Sequence, residues 1–194
     1  MILFDRLSRE KEVMAHHILA GQSALLGSDA LLADLSGQRP VFRCMAPGQV
    51  FCVPPSGSWY AISTRRFSMR LGLRDLTPYR LEQFEDRTFF LGFVSSMELQ
   101  VAHVQGFQRW IRGRECMTCM TLYADLYEMM RSVAAEAVRR VLPAEPSYED
   151  CIASKRRMEE EIGGRFFRML LGQGLYMAPE TYRIERFAKP HITI

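Results

Sequence analysis

Apolar residues recur along this chain in two rhythms. Between residues 21 and 104 they come as short runs separated by turn formers. Leu31 to Leu35 precede Ser36-Gly37, Val41 to Cys44 precede Ala46-Pro47-Gly48, and Val50 to Val53 precede Pro54-Pro55. Residues 59–63 and 67–73 continue the series, and in Phe67-Ser68-Met69-Arg70-Leu71 apolar and polar positions alternate as in a half-buried strand. This spacing predicts an antiparallel meander. Residues 75–86 are polar and hold Pro78, which predicts a loop with a helical turn. Residues 89–94 and 97–104 read as a hairpin, with Met97, Leu99 and Val101 on one face.

After residue 104 the period changes to three or four. Residues 105–111 predict a short helix ending near Gly113. A longer helix is predicted over 118–142, with Leu122, Leu126, Met129, Val133, Ala137 and Val141 forming its apolar stripe. Asp125 and Glu128 early and Arg139 and Arg140 late suit its dipole, and Pro143 ends it. Ser147-x-x-Asp150 has the form of a capping box and opens a helix predicted over 147–171, roughly 37 Å long. Its stripe is Ile152, Met158, Ile162, Phe166, Met169 and Leu170. Gly163-Gly164 interrupts it, at a cost of about 1 kcal/mol per glycine relative to alanine. Close packing there is the expected compensation. Gly172 and Gly174 are candidate C-caps, and 175–177 with 182–187 should return to the sheet. In residues 1–20 the positions Leu3, Leu7, Met14 and Ile18 have rough helical spacing, which predicts a short helix or a docking arm. The resulting plan is α+β: an arm at 1–20, one domain at 21–187 with an antiparallel strand-rich part followed by two amphipathic helices and a final strand, and a tail at 188–194.

The order of pieces at the C-terminal end carries a resemblance. A helix, a proline break at Pro143 to Pro146, a second charged helix with Ile162-Gly163, then Gly174-Leu175-Tyr176-Met177 and the strand Tyr182 to Phe187 together resemble the second half of SPFH (stomatin/prohibitin/flotillin) domains, especially the bacterial virion-core-like or stomatin-like branch. Upstream, Leu91-Gly92-Phe93 leading to Val101 and Phe107 is similar to that branch's entry, and Ala46-Pro47-Gly48 through Pro54 to its early segment. The resemblance spans about residues 21–187 and implies an SPFH-like scaffold that packs side by side into arcs, rings or cages. The membrane hairpin and long coiled coil of that family are not in this sequence, so membrane association is expected only through a partner.

Composition narrows the function classes. Hydrophobic residues make up 48% and charged residues 24% of the 194, which suits a packed globular chain. A net charge of +3 is too mild to point to nucleic acid. Only Lys11, Lys155 and Lys189 are lysines among 25 basic residues, and arginine is the side chain that pairs bidentately with carboxylates at interfaces. No run approaches the roughly 20 apolar residues that span a bilayer. The first residues carry charges where a signal peptide has its apolar run, so a cytoplasmic location is expected. The five cysteines, Cys44, Cys52, Cys116, Cys119 and Cys151, are expected to be reduced.

Candidate chemistry is thin. Cys116-x-x-Cys119 has the spacing of a zinc or disulfide-exchange pair, but no second pair follows to complete four zinc ligands, and Cys151 and His103 would have to converge by chance. The preceding Trp110 to Arg114 does not supply a βαβ context. His16 and His17 are adjacent and would diverge on a helix, His103 stands alone at a strand end, and His191 lies in the tail. Glu159-Glu160-Glu161 is within pairing range of Lys155, Arg156 and Arg157 and reads either as a solvated face or as one that meets a neighbour's arginines. Neither GxxxxGK[ST], GxGxxG nor GxSxG occurs. Met117, Met120, Met129 and Met130 exceed what one core face of a helix holds, so part of that helix is expected to face a partner. Three readings follow. The leading one is a non-enzymatic scaffold that self-associates or joins a larger complex, without cofactor, metal or catalytic residues. The alternatives are a monomeric adaptor recruiting one protein through its Arg-rich helices, and a thiol or zinc enzyme using Cys116 and Cys119.

Overall fold

Alternation and helical period resolve into fourteen strands and four α-helices among the residues that a computed structural model describes, namely 2–3, 13–25, 30–43, 49–81 and 87–188. The fold is α+β, strand-rich first, then helical, then closing on a strand. The strands are β1 (Ile2–Leu3), β2 (Val13–Ile18), β3 (Ser23–Leu25), β4 (Ala30–Asp34), β5 (Val41–Arg43), β6 (Val50–Cys52), β7 (Trp59–Ser63), β8 (Phe67–Leu73), β9 (Pro78–Arg80), β10 (Thr88–Phe90), β11 (Phe93–Val101), β12 (Cys116–Thr118), β13 (Leu175–Tyr176) and β14 (Arg183–Phe187). The helices are α1 (Val104–Ile111), α2 (Cys119–Val141), α3 (Tyr148–Ala153) and α4 (Lys155–Leu171). The chain divides into two compact units, each drawn from three stretches of sequence. The first is Met1–Phe67, Leu99–Ala124 and Leu171–Tyr176, and the second is Ser68–Glu98, Asp125–Leu170 and Met177–Ile194.

In the first unit a five-stranded antiparallel sheet runs in the order β12-β2-β7-β4-β5. It is not a simple meander, because β7 inserts between β2 and β4. The helix expected in 1–20 is also corrected over 13–18, where the chain is strand β2. Val13, Met14 and Ala15 are all fully buried, so β2 is covered on both faces and shows a continuous apolar run in place of alternation. A second sheet, β1-β3-β6, joins a parallel pair to an antiparallel one. Phe51 and Val53 from its side meet Leu32, Trp59 and Ala61 of the larger sheet in one apolar cluster. Helix α1 contributes the buried Val104, Phe107 and Ile111. Gly174 has φ +81°, and a Cβ there would lie 2.3 Å from the Phe107 nitrogen and 2.5 Å from the His103 carbonyl oxygen. Only glycine fits that crossing.

The second unit is organised around its helices. Its stretch of β11 pairs with β14, with a register shift between Val94 and Ser95, and β8 also pairs with β11. The hairpin expected at 89–104 is instead one long strand, β11, with Phe93, Ser95 and Met97 buried on one side. Phe90 belongs to β10, which pairs with β9. Pro78 therefore starts a strand of a two-stranded ribbon where a helical turn was expected, a place where its missing N–H is tolerated. Residues 82–86 of that expected loop lie outside the described residues.

Helix α2 buries Leu122, Leu126 and Ala137 as expected, but the rest of its stripe is Met130, Ala134 and Val138 in place of Met129, Val133 and Val141. The stripe is rotated by about one residue, a shift that periodicity alone does not resolve when apolar residues flank both choices. The capping box at Ser147 is formed in both directions. The helix expected over 147–171 is broken at Ser154 into α3 and α4, which leaves Ile152 exposed. Gly163 is buried, and a Cβ there would meet the Pro179 carbonyl oxygen at 2.8 Å, whereas Gly164 has open space. The double glycine thus has one required member. Phe166 packs edge-on against Tyr182, ring centroids 5.4 Å apart.

Candidate interaction surface

Two of the residues singled out for chemistry, His103 and Glu159, hold elements of the fold together. His103 is the N-cap of α1: its Nδ1 accepts from the Gly106 N–H at 3.2 Å, which leaves Nε2 to donate to the Leu171 carbonyl at 3.2 Å. One imidazole therefore caps the start of α1 and bonds the carbonyl of Leu171 in the same unit. His16 and His17 lie on strand β2, not on a helix, so they diverge to opposite faces. His17 packs against Tyr60 at 4.8 Å, and the Tyr60 hydroxyl accepts from the Gly113 N–H at 3.0 Å. These residues line an open cleft of about 570 Å³ together with Arg114 and Glu115, and His16 and Arg114 each have a partner.

Cys116 is in β12 and the buried Cys119 begins α2. Among the described residues no group of three or more His, Cys, Asp or Glu could hold a metal ion. Cys151 is fully buried on α3, and burial pushes its thiol up to about 11, so it stays protonated near neutrality. His191 and Cys44 lie outside the described residues.

The Glu159-Glu160-Glu161 run is neither bare nor uniform. Glu159 accepts from the Ile184 N–H at 2.8 Å and so fastens α4 to β14. Glu160 pairs with Arg156 at 3.2 Å. Glu161 pairs at 2.6 Å with Arg165, whose other nitrogen reaches Glu136 of α2 at 2.9 Å. The Arg165 guanidinium holds the Glu136 carboxyl below its usual range. The methionine surplus splits as well: Met117 and Met130 are buried, while Met120 and Met129 are exposed. The exposed two are nine positions apart, roughly half a turn out of phase, so they do not form one face.

The apolar pattern alone does not single out the outer strand of the five-stranded sheet. In β5 all three residues are exposed, Val41 at 60% and Phe42 at 51%. Asp34 builds this edge. Its Oδ1 accepts from the N–H groups of Ser36 at 3.0 Å and Ser58 at 2.9 Å. Burial alone would raise the carboxyl's pKa, but the bonds from Ser36 and Ser58 outweigh it and hold the group below its ordinary value. The turn after β4 is thereby tied to the turn before β7, where Gly57 takes φ +108° beside the Asp34 carboxylate and Trp59.

Register places Val41 opposite Asp34, Phe42 opposite Ala33 and Arg43 opposite Leu32. Val41 and Arg43 therefore share one face and Phe42 takes the other. The Arg43 guanidinium lies over Phe51 at 5.1 Å and Trp59 at 5.6 Å. At the turn, the Arg112 guanidinium donates to the Gly37 carbonyl at 2.7 Å. The signal for this edge is present in the sequence as Arg39-Pro40-Val41-Phe42-Arg43, a short apolar pair guarded by proline and two arginines, which is how natural sheets mark an edge.

No family model matches this chain, and none of the curated proteins compared with it is similar. No helix among the described residues is long and apolar enough to cross a membrane.

Proposed function

We propose that this chain is a non-enzymatic assembly module, an SPFH-like building block that self-associates side by side or joins a larger protein complex. The observation that carries this reading is β5, the outer strand of its sheet among the described residues, with two large apolar side chains in solvent. Such an edge is a template for pairing with another chain. The order of α2, the proline break, α3 with α4, and the closing strand β14 supports the SPFH-like comparison. The roles of His103, Glu159 and Arg165 in capping and bridging support a structural use of polar residues in place of a catalytic one.

Sedimentation velocity of the full chain at tens of micromolar tests it. The expected result is a species at a multiple of 22.4 kDa, or a shift to larger mass with a partner extract fraction. A monomer that stays monomeric under every condition retires the self-association half. Retention of bound zinc by the wild type and its loss in the Cys116→Ser, Cys119→Ser double variant would favour the thiol or zinc reading instead.

A further inference from the structure

We infer that the β5 edge receives an extended, acidic segment of another protein as an added strand. This rests on reading the chain as an assembly module, and it names the surface and the chemistry of the partner. Strand addition needs an outer strand with reachable backbone, and among the described residues β5 ends the sheet with all three of its residues exposed. Successive side chains of the incoming strand would lie alternately on the face of Val41 and on that of Phe42, so a segment with alternating apolar residues sets them all on one of these faces. Pro40 has no N–H to offer, so the usable edge is Val41–Arg43, and a short, weak contact is the expected kind.

Charge decides between partners. Arg39 and Arg43 flank the apolar pair, and Arg112 is held at the same turn by its bond to Gly37. The one carboxylate on the adjacent strand β4, Asp34, already accepts two backbone N–H groups. A second copy of β5 would bring its own arginines to this seam. Antiparallel self-pairing centred on Phe42 sets Val41 against the copy's Arg43 and offers no carboxylate to any of them. An extended segment with alternating apolar residues and flanking Asp or Glu meets both features.

The test uses the full chain and a fluorescein-labelled peptide, Glu-Asp-Val-Thr-Val-Asp-Glu, with an analogue carrying Lys at every acidic position. Fluorescence anisotropy should show the acidic peptide binding at least about tenfold more tightly than the lysine analogue, and more weakly as salt is raised. Phe42→Asp should weaken it about tenfold, and Arg39→Glu by a few-fold, as expected for one exposed charge reversal. Both sites are exposed, so thermal melts of the variants should match the wild type. If Phe42→Asp fails to fold, Arg39→Glu carries the test. Amide shifts of Val41, Phe42 and Arg43 in ¹⁵N spectra should move on titration. Equal binding of the two peptides, or saturation without shifts at those amides, overturns the inference. Sedimentation of the same samples separates the two readings. A multimer of the chain alone that Phe42→Asp dissociates means that β5 pairs with a second copy, which overturns the acidic-segment inference and keeps self-assembly. A chain that is monomeric alone yet binds the peptide at β5 keeps the inference and removes self-association.

Discussion

The two units spend their arginines differently. In the second, Arg70 pairs with Glu185, Arg80 with Glu145, Arg140 and Arg165 with Glu136, and Arg156 with Glu160. Arg165–Glu136 links α4 to α2 and Arg70–Glu185 links β8 to β14, Arg80–Glu145 ties β9 to the loop before α3, and the Arg140–Glu136 and Arg156–Glu160 pairs brace a single helix each. In the first, Arg43 lies over aromatic rings, Arg112 bonds a backbone carbonyl, and Arg39 is exposed. Several arginines of the second unit pair with its own carboxylates, although Arg131 and Arg183 donate to backbone carbonyls, whereas among the described residues Arg39, Arg43 and Arg112 around β5 pair with no carboxylate. An arginine-rich sequence therefore does not announce one role. The position of the nearest carboxylate decides it, and that is a property of the fold.

The contrast can be attacked first at its packed and open aromatics. Phe166→Ala in α4 should lose about 3–5 kcal/mol of stability, because a fully buried ring against Tyr182 leaves a cavity. Phe42→Ala on the β5 edge should stay within about 0.5 kcal/mol of wild type. Urea unfolding measures both, and a large loss at Phe42 would mean that the edge is structural. Next, Gly163→Ala should destabilise by about 1–2 kcal/mol, since its Cβ runs into the Pro179 carbonyl, while Gly164→Ala should stabilise by about 0.5–1 kcal/mol. Opposite signs from adjacent positions would confirm how tightly α4 is seated.

Ser147→Ala should cost about 1 kcal/mol by opening the capping box of α3. The smallest effect is on pH. Asp150 is held below its ordinary value of 3.8 by the Ser147 N–H and hydroxyl, and Asp34 by the Ser36 and Ser58 N–H groups against the opposing effect of burial. Glu136 is held below 4.5 by Arg165. For each, the folded chain binds its proton less readily than the unfolded one. Their contribution is therefore complete above the unfolded values and is lost as pH falls through them to the lower folded ones. Thermal melts from pH 6 down to pH 3 should show stability falling below about pH 4.5. In the Arg165→Ala variant the Glu136 carboxyl, followed by ¹³C chemical shift, should titrate closer to its ordinary range, with Arg140 still holding it down in part, and an unchanged titration would remove Arg165 from this role.

Much of the local order is legible in the residues themselves. Strands β7 and β8, the capping box at Ser147, the stop before Pro143 and the return of the last strand follow from alternation, capping chemistry and proline's missing donor. Those effects act over a few residues, so the sequence by itself determined them, along with the α+β class. The strand character of β2, the insertion of β7 between β2 and β4, the break at Ser154 and the rotated stripe of α2 were decided by tertiary structure. Each depends on which distant element covers a face, and a local pattern does not contain that information. The same holds for the candidate surface. The sequence carries the guarded apolar pair at Val41 and Phe42, but only the sheet order makes β5 an outer strand, because being last in a sheet is a relation to strands far away in the chain.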